Sequence, residues 1–188
     1  KEILLGTNQH PNFNEAISDT VDYSRIFPSK PDDLVKTVEP VILFRGSQEF
    51  DRLRTAMDNA VKRPVAFMLT IGNFAMRKAR SQFACNFFAS GGYIVIDNIG
   101  FKTTDEGLKA AREAHADIIV VCSSDDEYSV FATEVLEKAG NTSIVVVAGN
   151  PPCADYLKTK GIEYFISVRS DITATLEIFN SLLGIGNK

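Results

Sequence analysis

Five short apolar runs, separated by amphipathic segments, follow one another from residue 65 towards the end of the chain. The runs lie at 65–71, 93–97, 118–122, 144–148 and 164–167, and helical periodicity covers 75–90, 104–114, 126–139, 153–160 and 171–183. Uninterrupted apolar runs of this length are typical of parallel strands buried on both faces. Because strand and helix alternate, the crossovers are expected to be right-handed. The pattern predicts a three-layer, flavodoxin-like doubly wound α/β domain over 64–188, with a five-stranded parallel sheet in the order 2-1-3-4-5.

Residues 1–63 differ in character from this domain. Asn, Asp, Ser and Pro are scattered through the first half of the segment, and loop composition of that length is typical of a linker or a wrapping arm. The segment 41–44 is predicted to be a short strand or a buried anchor. A helix is predicted over 47–61, with Ser47 as its N-cap and apolar residues at helical spacing up to Val61. We expect residues 1–45 to form an arm that wraps outside the sheet.

Composition argues against several classes of protein. The 188 residues carry a net charge of −4, whereas nucleic-acid binding needs a surplus of Lys and Arg on one face. No apolar run approaches the roughly 18–20 residues of a membrane helix. Three widely spaced cysteines (Cys85, Cys122 and Cys153) and only two histidines (His10 and His115) disfavour a disulfide frame and a zinc site. We therefore expect a reduced, cytoplasmic protein without a nucleic-acid or membrane partner.

The loop after the first predicted strand is a place where a doubly wound sheet often binds its ligand. Residues 72–80 (GNFAMRKAR) contain no His, Asp, Glu or Cys. The chain also lacks the Walker A, G-x-G-x-x-G and G-x-S-x-G patterns. The position that the fold offers to a cofactor therefore has no ligand in this sequence.

Three cations, Arg77, Lys78 and Arg80, cluster near the start of the first helix of the domain. They indicate either a contact surface for an acidic partner or phosphate, or a solvated face, and the solvated face is favoured because exposed charges are common. Cations at a helix start oppose the helix dipole, and an acidic partner would offset this cost. We expect a subunit interface to include or adjoin them.

The third and fourth strands are followed by further polar residues. Asp125, Asp126 and Glu127 could hold Mg²⁺ or act as acid and base, but helix capping is favoured because no His or Lys stands beside them. Ser123 and its neighbour have no adjacent base in the sequence, so turn or cap roles are favoured over nucleophilic ones. Gly149 is equally consistent with a turn and with close approach of the backbone to a ligand.

Several of these segments together resemble a known family. Residues 65–183 are similar to the cobalamin-binding domain of the methylmalonyl-CoA mutase family of acyl-CoA mutases, and most of all to the small subunit of its two-chain bacterial members. The resemblance is carried by LTIGN at 69–73, ARSQFACNFF at 79–88, GY at 92–93, CSSDDEY at 122–128 and AGNP at 148–151. LGTNQ at 5–9 resembles the strand that leaves the TIM-barrel domain of the family, which implies that 1–63 trails from such a barrel.

The cobalamin signature of the family reads D-x-H-x-x-G, then S-x-L, then G-G. Its His replaces the cofactor's own base on cobalt, and its Asp orients that His, as outer-shell carboxylates commonly do. Aligned from the strand, the first three positions hold Phe74, Met76 and Ala79. Of the later elements, only Ser123 and Gly149 are kept.

An alignment from the helix end shifts the signature by one residue. Ala75, Arg77 and Arg80 then hold the Asp, His and Gly positions. In either alignment the ligand is lost, and bulky Met or Arg side chains would fill the slot where the nucleotide tail of the cofactor enters.

The resemblance implies a structural role. The chain would be the carboxyl-terminal part of a small, non-catalytic subunit in a heterodimer of propionate metabolism. The large (alpha) subunit would carry adenosylcobalamin and interconvert succinyl-CoA and (R)-methylmalonyl-CoA, while this chain would bind no cofactor and be inactive alone. Two alternatives remain open. A stand-alone cobalamin-binding domain needs the absent His, and a receiver-like signalling domain needs a phospho-acceptor Asp where Ser123 stands.

Overall fold

The structure is a computed structural model that describes Thr7, Pro11 and residues 45–186, without the side chain of Asn141. The predicted segment 41–44, the family-like segment 5–9 apart from Thr7, and His10 lie outside the described residues. The wrapping arm is therefore still a prediction.

The described residues form alternating helices and strands. In chain order these are α1 (Gln48–Asp58), β1 (Val65–Thr70), α2 (Phe74–Ser90), β2 (Ile94–Ile96), α3 (Thr104–Glu113), β3 (Ile118–Cys122), α4 (Tyr128–Ala139), β4 (Ile144–Ala148), α5 (Ala154–Thr159), β5 (Tyr164–Ile166) and α6 (Ile172–Leu182). A short 3-10 turn, Gly140–Thr142, joins α4 to β4. No helix in this part of the chain is both long and apolar enough to cross a bilayer.

All five strands are parallel and lie in the order β2-β1-β3-β4-β5, so the predicted topology is confirmed. The central pair is in register from Ala66 beside Ile118 to Thr70 beside Cys122. Their carboxyl ends therefore lie at the same level. This alignment brings the loops after β1, β3 and β4 together at one edge of the sheet, which we call the carboxyl edge.

Two apolar cores lie on opposite faces of the sheet. Because side chains alternate along a strand, Ile118, Val120 and Cys122 of β3 face one core, and Ile119 and Val121 face the other. The first core is covered by α1, α2 and α6, and the second by α3, α4 and α5. Burial on both faces explains why the strands read as continuous apolar runs.

The first helix is shorter than predicted. It ends at Asp58, and Val61 is fully exposed beyond it, so the helical spacing of apolar residues was misleading at that position. Ser47 is the N-cap residue, but its hydroxyl donates to the Asp51 carboxylate at 3.0 Å and does not cap a backbone amide.

Candidate functional site

Glu127 joins two loops of the carboxyl edge. One oxygen of its carboxylate, Oε2, accepts hydrogen bonds from the Asn73 amide at 3.0 Å and the Ser123 hydroxyl at 2.7 Å. It also accepts from the amide and hydroxyl of Ser124 at 3.3 and 2.7 Å. The same carboxylate lies against Gly72, where a Cβ would overlap it. The loop after β1 is thus held to the loop after β3 by a single side chain.

These hydrogen bonds also determine the chemistry of Glu127. Partial burial on its own would raise the pKa, but the bonds from Asn73, Ser124 and Ser123 stabilise the anion and lower the pKa to about 2. A carboxylate of such low basicity is a poor general base. The turn role predicted for the serine pair is consistent with the bond that the Glu127 amide donates to the Ser124 carbonyl at 3.1 Å, but neither serine hydroxyl caps a backbone amide of α4.

Tyr128 links the ends of two strands. Its buried hydroxyl donates to the carbonyl of Ala148 at 2.6 Å and accepts from the amide of Ser123 at 3.2 Å. Burial raises the pKa of this phenol, so it stays protonated and keeps donating. The ends of β3 and β4 are therefore fixed relative to each other.

Arg80 crosses the carboxyl edge from α2. Its Nη2 donates to Oδ1 of Asp125 at 2.9 Å, and the side chain is only 26% exposed. The guanidinium lies against Gly149, where a Cβ would be 3.3 Å from Cζ. Asp125 thus pairs with a cation and does not cap a helix.

Arg77 is also held by its own chain. Its Nη1 donates to the carbonyl of Gly72 at 3.1 Å, and its guanidinium packs against Gly100 and lies 5.5 Å from the ring of Phe74. The prediction of a solvated cationic face is therefore wrong for Arg77 and Arg80, because the Gly72 carbonyl and the Asp125 carboxylate lie within hydrogen-bond distance of them. It holds for Lys78, which is exposed.

The other sequence-predicted positions are divided between the surface and the edge. Phe74 and Met76 are 62% and 37% exposed, and Ala79 is exposed as well. Ser123 and Gly149 lie at the ends of β3 and β4. Gly149 lies against Arg80, and Ser123 lies beside Gly72, whose carbonyl accepts from Arg77. Residues 77 and 80 lie one position on from the strand-based alignment.

A cavity of about 220 Å³ adjoins the start of α2. Its base contains Thr70, whose hydroxyl donates to the side-chain oxygen of Asn98, and Ser81, whose hydroxyl donates to Asp97. Phe74, Arg77, Lys78 and Ile99 complete the lining. The lining thus combines hydrogen-bonded polar groups, including the exposed carboxylate of Asp97, with apolar and cationic side chains.

Among the described residues, no cluster of His, Cys, Asp or Glu is arranged to hold a metal ion. Cys85 and Cys122 are buried and unpaired, and Cys153 is half-buried. His115 has a φ of 50° and directly follows the C-cap of α3, which lies at the opposite edge of the sheet because α3 runs antiparallel to the strands.

Sequence reasoning missed Glu127 and Tyr128 as organisers of the edge. The spacing Ser124-x-x-Glu127 is that of a capping box, which pairs a Ser backbone amide with a Glu carboxylate, and it could have suggested the bond to Ser124. No sequence pattern indicates the hydrogen bond that the Asn73 amide donates to Glu127, because the two residues are 54 positions apart.

Comparison with known proteins places the chain among related sequences. Residues 84–168, which include β2 to β5, match the model of the TrkA-N domain. A methylmalonyl-CoA mutase small subunit from Porphyromonas gingivalis is 47% identical over 98% of the chain. Probable methylmalonyl-CoA mutase small subunits from Mycobacterium tuberculosis and Mycobacterium bovis are 26% identical over 78% of it. The chain spans 30% of the length of the first of these proteins and 22% of the others.

Proposed function

Since the chain is homologous to part of the methylmalonyl-CoA mutase small subunits, we propose that it is the cobalamin-domain-like part of such a subunit. Its role is structural: it assembles with a catalytic large subunit in the cytoplasm and performs no chemistry itself. The observation that carries this proposal is 47% identity over 98% of the chain. The large subunit supplies adenosylcobalamin and the interconversion of succinyl-CoA and methylmalonyl-CoA.

The residues of the carboxyl edge do not fit cobalamin. Coordination of cobalt by a protein nitrogen requires an imidazole that projects from the loop after β1, and this loop offers arginines instead. The one histidine among the described residues, His115, lies at the opposite edge of the sheet. We propose that the chain binds no adenosylcobalamin and that its cofactor site is degenerate.

Titration with cobalamin tests this proposal directly. We expect no tight binding to the purified chain, and no nitrogen superhyperfine coupling from protein in the electron paramagnetic resonance spectrum of Co(II) cobalamin. Labelling of histidine with nitrogen-15 distinguishes a protein imidazole from the cofactor's own base, and the large subunit serves as the positive control. Tight binding with coupling to labelled histidine would restore a cobalamin-carrying role.

The partner surface is proposed to include the cationic start of α2. Arg77 and Arg80 are held by their own chain, so the group available to an acidic partner is Lys78, beside the exposed side chains of Phe74 and Ile99. Exposed apolar side chains bordered by polar groups are typical of protein interaction sites.

Charge reversal at this surface is the corresponding test. We expect Lys78→Glu to weaken association with the large subunit about fivefold, because a charge at an interface rim contributes on the order of 1 kcal/mol. Lys109→Glu is a matched control, since Lys109 is 78% exposed on α3, which covers the other face of the sheet. Equal affinities of the two variants for the large subunit, measured by titration of the purified subunits, would show that Lys78 is not part of the interface.

A further inference from the structure

Three glycines at the carboxyl edge share an unusual environment. Gly72, Gly100 and Gly149 have φ values of 79°, 128° and 155°, and each lies against a charged side chain of the same chain. Glu127 lies against the first, Arg77 against the second and Arg80 against the third. Glycines at strand ends leave space through which a ligand can approach the backbone. Here that space is taken by side chains of the protein itself.

Arg80 contacts residues of two loops of the carboxyl edge, Asp125 after β3 and Gly149 after β4. It lies one helical turn before Ala84, which is fully buried against the sheet, so α2 directs Arg80 towards the strand ends. Asp125 binds the guanidinium of Arg80, and the Nε atom of Arg80 is buried. Cys122 is fully buried at the end of β3, and burial raises the pKa of its thiol. The positive charge of Arg80 partly offsets this increase.

We infer that Arg80 permanently occupies the space between the ends of β1, β3 and β4, which we call the groove. Its guanidinium fills the volume that an extended ligand would need there. The inference deepens the proposed function and rests on it, because it identifies what closes the degenerate site. The groove is closed by an ion pair with Asp125 and by contact with Gly149, independently of the missing imidazole. A ligand that enters must therefore displace a paired guanidinium.

Accessibility of Cys122 provides the test, in the full-length polypeptide that carries this chain. We expect Arg80→Ala to increase the rate of alkylation of Cys122 by iodoacetamide at least tenfold, as followed by mass spectrometry of the peptide. Loss of the nearby positive charge alone would slow alkylation, because it raises the pKa of the thiol further. Faster alkylation therefore reports that the groove has opened.

Two comparisons separate an open groove from a damaged fold. Ethylguanidinium should restore protection of Cys122 in the Arg80→Ala variant, since it replaces the missing group beside Asp125. Cys85 lies in the same core and should remain protected in all variants. Lys78→Ala should leave the rate of alkylation of Cys122 the same as in the unsubstituted protein.

An unchanged rate at Cys122 in Arg80→Ala, or acceleration that ethylguanidinium does not reverse, would overturn the inference. Neither result would affect the proposed subunit role, which depends on assembly with the large subunit and on the cobalamin titration.

Discussion

Replacement of Phe88 by alanine is expected to lower the free energy of unfolding by about 3–5 kcal/mol, the usual cost of removing a fully buried aromatic ring. Phe88 is 0% exposed, and its ring centroid lies 5.4 Å from that of Tyr93 and 5.6 Å from that of Phe179. The ring thus joins α2, the residue before β2, and α6 in one core.

Urea denaturation measures this effect, and Val130→Ala is the control. Val130 is 54% exposed on α4, so its truncation should change stability by less than about 0.5 kcal/mol. A loss below about 1 kcal/mol for Phe88→Ala would mean that the core relaxes around the missing ring. Because α2 also carries Arg77 and Arg80, the core residue helps to position the carboxyl edge.

Glu127→Gln is expected to cost about 1–3 kcal/mol near neutral pH, because a carboxylate that accepts four hydrogen bonds becomes an amide. The side chain amide can also present its NH₂ group to donors such as the Asn73 amide. Glu137→Gln is the matched control, since Glu137 is exposed on α4, the helix that follows Glu127. Equal stability of the two variants would contradict the bridging role of Glu127.

The same substitution has a defined pH dependence. The folded protein holds the pKa of Glu127 at about 2, below the ordinary value of 4.5, so its contribution to stability is fully present above pH 4.5. That contribution is lost as the pH falls from 4.5 towards 2. The difference in unfolding free energy between the unsubstituted protein and Glu127→Gln should therefore shrink over this range, and a constant difference would contradict the assignment.

Much of the fold could be predicted because it depends on patterns within short segments. The runs 118–122 and 144–148 coincide with β3 and β4, and each of the other strands differs from prediction by one residue at one or both ends. The error at Val61 has a local cause. Apolar spacing continues past the end of α1, but the chain turns away from the core there.

The candidate site was less predictable because it is built from residues that are distant in sequence. The sequence showed that the loop at 72–80 contains no His, Asp, Glu or Cys, since this is a property of residue types. It did not reveal that Arg80 meets Asp125, 45 positions away, or that Glu127 binds the Asn73 amide.

The sequence by itself determined the parallel sheet, its strand order and the absence of an imidazole from the loop after β1. Hydrophobic periodicity and residue type are local properties, and the handedness of crossovers then restricts the topology. Only the tertiary structure decided that Arg77 and Arg80 turn inward and that Glu127 holds two loops together. These outcomes depend on which carbonyls and carboxylates the aligned strand ends bring within hydrogen-bond distance, and that alignment is a property of the assembled sheet.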